Sequence, residues 1–168
     1  MKGLQRVDAN CPKGWLFEPL AQMTNFSASA VGASMQPVRV AVLAFEGVSL
    51  FHLSVPGIVF GVTPAPTGLP PHEVRYCAPT PGKVRCDQGV EIEVPGGLEA
   101  MTSADLVIVP AWNHPEAAAP AVLTEALKQA HARGAQVVGL CLGAFVLGDA
   151  GLLDERRATT HWACRDLF

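Results

Sequence analysis

Apolar and polar positions change rhythm sharply along this chain, and the change divides it. Residues 1 to 36 show neither helical nor strand periodicity: Trp15-Leu16-Phe17 is a lone apolar island, and Ser27 to Ser34 is a small-residue tract of linker type. Two readings stay open there, a disordered extension or a mis-assigned gene start with Met35 as the true first residue. From residue 37 to 168 the pattern alternates between strand and helix. Val38 to Phe45 is a nearly continuous β-branched and apolar run, the look of a strand buried on both faces. Glu46-Gly47 turns the chain, with Glu46 read as a solvated tip, and Leu50 to Gly61 is a short apolar helix with Pro56 near its first turn. Pro64 to Pro71 reads as a loop and Glu73 to Ala78 as a second strand.

The middle of the chain turns half-exposed. Val84-Arg85-Cys86 and Val90 to Val94 flank Asp87-Gln88-Gly89, which predicts an alternating hairpin. Asp105 to Val109 is another buried strand, stopped by Pro110. Ala121 to Arg133 is the clearest helix: Leu123, Ala126, Leu127 and Ala130 share one face, and Gly134 follows as a cap. Gln136 to Leu140 returns as a strand, and an apolar helix runs from Leu142 to Ala150. Buried strands alternating with helices predict an α/β fold, a three-layer sandwich around a mostly parallel, doubly wound sheet.

Composition narrows the function. A length of 168 residues suits one domain, and 49% apolar with 16% charged residues is a globular composition. Twelve basic against fifteen acidic residues leave a net charge of −3, which argues against this segment binding nucleic acid by itself. The most apolar run, Val137 to Leu147, is too short to cross a bilayer, so no membrane partner is expected. The five cysteines, at 11, 77, 86, 141 and 164, are odd in number and lack metal-ligand spacing. No secretory signal opens the chain, so reduced thiols in a cytoplasm are expected, with no metal and no cofactor.

Candidate chemistry gathers near the end. Gly139-Leu140-Cys141-Leu142-Gly143 lies where a strand gives way to a helix, and the glycines relieve the crowding of such an elbow. Cys141 would then sit strained at the carboxyl edge of the sheet, where a helix N-terminus favours thiolate. The plainer alternative is a buried core cysteine between small residues. His161 follows twenty positions later. If Arg157 to Thr160 is the next parallel strand, His161 tops it beside Cys141 and holds or accepts the thiol proton; otherwise it is a structural histidine. Ala111, Trp112 and Asn113 follow strand Asp105 to Val109 and should reach the same edge, where their backbone N–H groups, with that of Leu142, can line an anion pocket.

These segments resemble the ThiJ/PfpI superfamily, the class I glutamine amidotransferase-like group, whose fold is flavodoxin-like. The likeness covers Val38 to Phe168. It is carried by Val40 to Val48 at the first strand, by Val109-Pro110-Ala111-Trp112, and by Cys141 to Leu147. Ala150 to Asp154 and Arg157 to Trp162 are most similar to the amidase-like N-terminal domain of AraC-type transcriptional regulators. The resemblance implies an acidic side chain after the first strand, hydrogen-bonded to the elbow cysteine, and His52 stands in that place. A missing carboxylate removes the usual general acid or base. The resemblance also implies a further helix and strand beyond His161, so the fold is expected to be incomplete at the C-terminus, and DNA contact is expected only through a missing helix-turn-helix region.

Three functions follow. The first is a sensory domain that binds a small-molecule ligand near Cys141. The second is a cysteine-dependent hydrolase or hydratase for a small amide, nitrile-like compound or aldehyde, with Cys141, His161 and His52 as its site. The third is a truncated relic. The sensor leads, because the specific likeness is to regulators and the acid is absent. A homodimer is the expected assembly, covering apolar surface left open at the C-terminal side.

Overall fold

Strand β1 (Val38–Leu43) enters the core at Val40, and its last four residues are all buried. It sits inside a four-stranded parallel sheet of order β2-β1-β5-β6, which is why the run reads as uninterrupted apolar sequence. The computed structural model describes residues 36–61 and 70–168. The readings for residues 1–35, including Cys11, and for most of the loop from Pro64 lie outside these.

β2 (His72–Cys77) pairs with β1 from Val38↔His72 to Leu43↔Cys77. On the other side β5 (Leu106–Val109) pairs with β1, and β6 (Gln136–Gly139) pairs with β5. The sheet is flanked by helices, as a flavodoxin-like fold requires. Helix α1 (Leu50–Gly61) follows β1, and α2 (Glu99–Ser103) precedes β5. Helix α3 (Ala121–Ala132) links β5 to β6, and α4 (Gly143–Asp149) follows β6. A separate antiparallel hairpin, β3 (Gly82–Arg85) with β4 (Glu91–Val94), branches from the β2 side. Fully buried Leu43, Val107, Leu123, Leu127 and Val146 tie the layers together, each contributing about 2 kcal/mol by burial.

Strand starts are held by charge. The Asp105 carboxylate accepts the Arg39 N–H at 2.9 Å and two bonds from its guanidinium, at 3.1 and 2.9 Å. These bonds hold the Asp105 carboxyl below its ordinary pKa. Arg133 at the end of α3 donates to the Met101 and Ala104 carbonyls, at 2.8 and 3.2 Å, and so satisfies the open end of α2.

Several expectations need correction. Residues 157 to 160 form no strand, so among the described residues β6 is the edge of the sheet. A strand needs a ladder partner, and Thr160 instead gives its hydroxyl to the Cys141 carbonyl at 3.2 Å. Pro56 is not in the first turn but the seventh residue of α1, buried, where it withholds the N–H that would bond the His52 carbonyl. Glu46 is exposed, as a solvated tip should be, and its carboxylate also accepts the Arg85 N–H at 3.2 Å. Helix α2 carries too short an apolar pattern to read from sequence.

Candidate functional site

In a doubly wound sheet, ligands gather at the carboxyl ends of strands, where the chain reverses its direction of winding. Here that point falls between β1 and β5, since the chain goes from β1 out to β2 and then returns to β5 and β6. The turn after β1 and the loop after β5 meet over it. The Phe45 and Trp112 rings pack at 4.6 Å, tilted by 50°. The Asn113 side-chain amide donates to the Glu46 carbonyl at 3.2 Å. Gly47 turns at φ +78°, a backbone conformation that favours glycine, and a Cβ there would crowd that same amide.

Beside this closure stands the elbow. Leu140 donates its N–H to the Val109 carbonyl at 2.8 Å, which is the last bond of the β5–β6 ladder. At Cys141 the backbone switches to φ +55°, a left-handed conformation for a non-glycine residue. Such a residue costs about 1–2 kcal/mol and persists only where its surroundings impose it. The surroundings here are two glycines. A Cβ on Gly139 would lie 2.8 Å from the Ala144 nitrogen, and one on Gly143 would meet the Val109 carbonyl and lie 2.6 Å from the Pro110 oxygen. The chain therefore turns from strand to helix within the thickness of a bare backbone, with the half-buried Cys141 at its apex.

Polar groups around the apex are unevenly satisfied. Trp112 is 8% exposed, and its indole N–H is buried with no partner among the described residues. His52, on the first turn of α1, likewise buries its Nδ1 without a partner. The backbone N–H groups of Trp112, Cys141 and Leu142 bond to no other described group. Ala111 is buried as well. His161 does not top a strand. It precedes a single 3-10 turn (Trp162–Cys164), and its Nδ1 accepts the Ala163 N–H at 3.2 Å. A ring nitrogen that accepts carries no proton, so a neutral His161 holds its proton on Nε2. Among the described residues neither histidine is hydrogen-bonded to the Cys141 thiol. The structure thus brings Cys141, Leu142 and the elbow glycines against the Val109-Pro110 end of β5, the segment that leads into Ala111 and Trp112. It ties His161 to the apex only through Thr160.

Two side chains shape this edge without having stood out in the sequence. Asp87, at the hairpin tip, accepts the Leu50 N–H at 3.0 Å and so caps α1. That bond, first among several, holds its carboxyl below the ordinary value. Asp149 accepts the Ala119 N–H at 2.7 Å and fixes the β5–α3 loop to α4. Asp87 lies in an Asp-Gln-Gly turn, a signal that announces the turn but not the helix it caps. Of the other described thiols, Cys77 and Cys86 are buried, and burial pushes Cys77 up to about 12, while Cys164 is half-buried like Cys141. Among the described residues no group of three or more His, Cys, Asp or Glu side chains is arranged to hold a metal ion. None of the described helices is long and apolar enough to cross a membrane.

Comparisons with known proteins agree with this architecture. The chain is 37% identical over 127 residues to an uncharacterized protein in the cpoL 5' region of Streptomyces lividans, covering 75% of this chain and 89% of that one. It is 37% identical over 87 residues to the HTH-type transcriptional regulator CdhR of Pseudomonas aeruginosa, covering 52% of this chain but 26% of the regulator. A shorter stretch of 37 residues is 54% identical to isonitrile hydratase of Pseudomonas putida, 22% of this chain and 16% of that enzyme. Among solved structures, a ThiJ/PfpI family protein from Pseudomonas syringae superposes with a TM-score of 0.66 at 24% identity, covering 86% of this chain and 61% of that one. An AraC family transcriptional regulator from Pseudomonas putida gives 0.60, also at 24% identity, over 77% and 70%. The description of the DJ-1/PfpI family matches residues 38–168, and the chain belongs to that family.

Proposed function

We propose that the described domain senses a small molecule at the carboxyl edge beside Cys141, as the amidase-like module of an AraC-type regulator. The observation that carries this reading is an elbow without its acid. Cys141 is held at φ +55°, while Glu46, on the turn after β1, accepts the Arg85 N–H and Asp149, the first carboxylate after the elbow, accepts the Ala119 N–H. His52 occupies the place where superfamily enzymes carry a carboxylate, and its Nδ1 bonds to nothing described. Binding groups are therefore present and the usual proton carrier is not. The unpaired N–H groups of Trp112, Cys141 and Leu142 suit a ligand bearing a carbonyl or carboxylate oxygen.

Such a domain works in the cytoplasm, and DNA is reached through a region outside this sequence. The 87-residue match to the regulator CdhR supports this reading. A homodimer fits the uncovered apolar residues of α1, where Phe51, Ile58 and Val59 are 70%, 65% and 61% exposed.

One observation favours a second reading, a cysteine-dependent hydratase or hydrolase: the 37-residue match to isonitrile hydratase. Turnover separates the two. The purified chain is offered a simple isonitrile, a primary amide and a small aldehyde, and product is followed with Cys141→Ser as control. The sensor reading expects no Cys141-dependent product, together with a thermal shift from at least one carbonyl-bearing compound that Cys141→Ser weakens. Cys141-dependent turnover establishes the enzyme instead.

A further inference from the structure

A cavity of about 810 Å³ lies away from the elbow, on the outer side of β2. It is lined by three consecutive residues of β2, Val74-Arg75-Tyr76, and by three of β4, Ile92-Glu93-Val94. Successive side chains of a strand point to opposite faces. A cavity that borders every residue of a strand therefore lies along its edge, against the main chain. The helices agree with that placement. α1 stands on the face of β2 where Val74 and Tyr76 point, since a Cβ on Gly61 or Gly57 would meet them. α2 stands on the other face, where its Glu99 acts on the Cys77 thiol. Both helices line the cavity, which wraps round the edge from one face to the other.

Both strand edges are left open there. Val38 and Ala44 donate to the Pro71 and Cys77 carbonyls at 2.8 and 2.7 Å. The odd-numbered residues of β2 thus turn their backbone groups to β1, and Val74 and Tyr76 turn theirs outward. In the hairpin, the Arg85 carbonyl accepts the Gly47 N–H at 2.7 Å, on the side of β3 away from β4. Arg85 pairs with Glu91 and Lys83 with Glu93, so alternation turns the backbone groups of Glu93 away from β3 as well. Among the described residues nothing pairs with the N–H groups of Val74, Tyr76 and Glu93. The β2 edge closes only past the cavity, where Cys77 bridges Gly96 and Ala78 donates to the Gly96 carbonyl at 2.9 Å. Upstream of that rung the ladder lacks a strand.

We infer that this cavity binds a short extended peptide, which adds to β2 as a fifth strand and is held through main-chain hydrogen bonds. Its side chains alternate: apolar toward α1, where Leu50 and Leu53 line the wall, and small or polar toward α2, where Ala100 and Ser103 do. A compact ligand without a run of amide groups would leave donors spaced along a strand unsatisfied. The site shares no residue with the Cys141 edge and does not depend on how that edge is used.

The probe is a fluorescein-labelled, end-capped hexapeptide of alternating valine and threonine, titrated into the full chain by fluorescence anisotropy. One peptide is expected to bind per chain. Two further versions carry methyl groups on alternate peptide nitrogens, each blocking one edge of the added strand. At least one should bind about tenfold more weakly, the size of two lost backbone hydrogen bonds. A hexapeptide with the three valines grouped before the three threonines should also bind more weakly than the alternating one. Amide hydrogen exchange at Val74, Tyr76 and Glu93 should be fast in the free protein and slow on binding. Ser103→Trp, a substitution at an exposed position that fills the α2 side of the cavity, should abolish binding while circular dichroism shows the fold retained. Equal binding of the parent and both methylated peptides overturns the proposal, as does equal binding of the grouped peptide. So does binding that Ser103→Trp leaves intact, or that Cys141→Ser removes, since the probe would then lie elsewhere. Absence of binding up to about 1 mM peptide overturns it as well.

Discussion

The elbow after β6 and the turn after β1 stand on the same edge of the sheet, yet different physics holds each. At the elbow the dominant restraint is steric: backbone atoms already occupy the space a Cβ on Gly139 or Gly143 would need, and Cys141 sits at φ +55° between them. At the turn the hold is polar. Glu46 takes the Arg85 N–H, Asp87 takes the Leu50 N–H, and Asn113 reaches across to the Glu46 carbonyl. Steric restraint is indifferent to pH and salt and intolerant of added atoms; polar restraint is the reverse. A chain that must present one thiol in one orientation gains from the first kind. A lip over a ligand crevice is better served by the second, which can open at low cost.

The largest contrast is expected in thiol chemistry. Burial lifts Cys77 from an ordinary 9.0 to about 12, which leaves it with about a thousandfold less thiolate near neutral pH than an ordinary thiol. Rate-resolved mass spectrometry with iodoacetamide should find Cys141 labelled first and Cys77 and Cys86 only on unfolding. If Cys11 or Cys164 outpaces Cys141 in the native protein, the elbow exposes no special thiol.

Next comes the steric claim itself. Gly143→Ala places a methyl group against the Val109 and Pro110 carbonyl oxygens, and should cost about 3 kcal/mol in urea unfolding. Gly148→Ala is the matched control, because a Cβ there meets nothing within 4 Å; it should be neutral or mildly stabilising. Equal effects would mean the elbow is as adaptable as the helix.

A smaller effect should mark the polar turn. Asp87→Asn removes the charge from the cap on α1 and should lower Tm by a few degrees at neutral pH. Sign matters here. The Asp87 and Asp105 carboxyls lie below their ordinary 3.8 in the folded chain. Their contribution is therefore complete above about pH 4 and is lost as pH falls through the lower folded values. The Tm difference between wild type and Asp87→Asn should hold from pH 7 down to about 4 and close below it. A difference that persists under strong acid would assign the effect to shape, not charge.

The smallest change is expected from Trp112→Phe. The indole N–H that it deletes has no described partner, so the cost should be only that of the smaller ring's lost packing against Phe45, about 1 kcal/mol. Binding of a carbonyl-bearing ligand should weaken if that N–H serves the crevice. Unchanged ligand binding would show that the N–H does not serve it.

Much of the fold was legible because it is written in local patterns. Val38 to Leu43 reads as a buried strand since both its faces are covered, and Leu123, Leu127 and Ala130 recur at helical spacing toward the core. The G-x-C-x-G spacing locates the elbow because only glycine tolerates that crowding. Arg157 to Thr160 misled because Thr159 and Thr160 suit a strand wherever a neighbour exists, and periodicity carries no word about neighbours.

Sequence alone settles which segments can be strands, helices and tight turns, because those depend on residues within one or two turns of each other. It also settles membership of the family, through the motif at Cys141 and the run at β1. What only the tertiary structure decided is which distant groups meet. Asp87 reaches Leu50 across 37 positions, Asn113 reaches Glu46 across 67, and Thr160 rather than His161 bonds the cysteine's backbone. Hydrogen bonds over such separations are fixed by how the sheet stacks and where its loops return. No period of 2 or 3.6 residues encodes that.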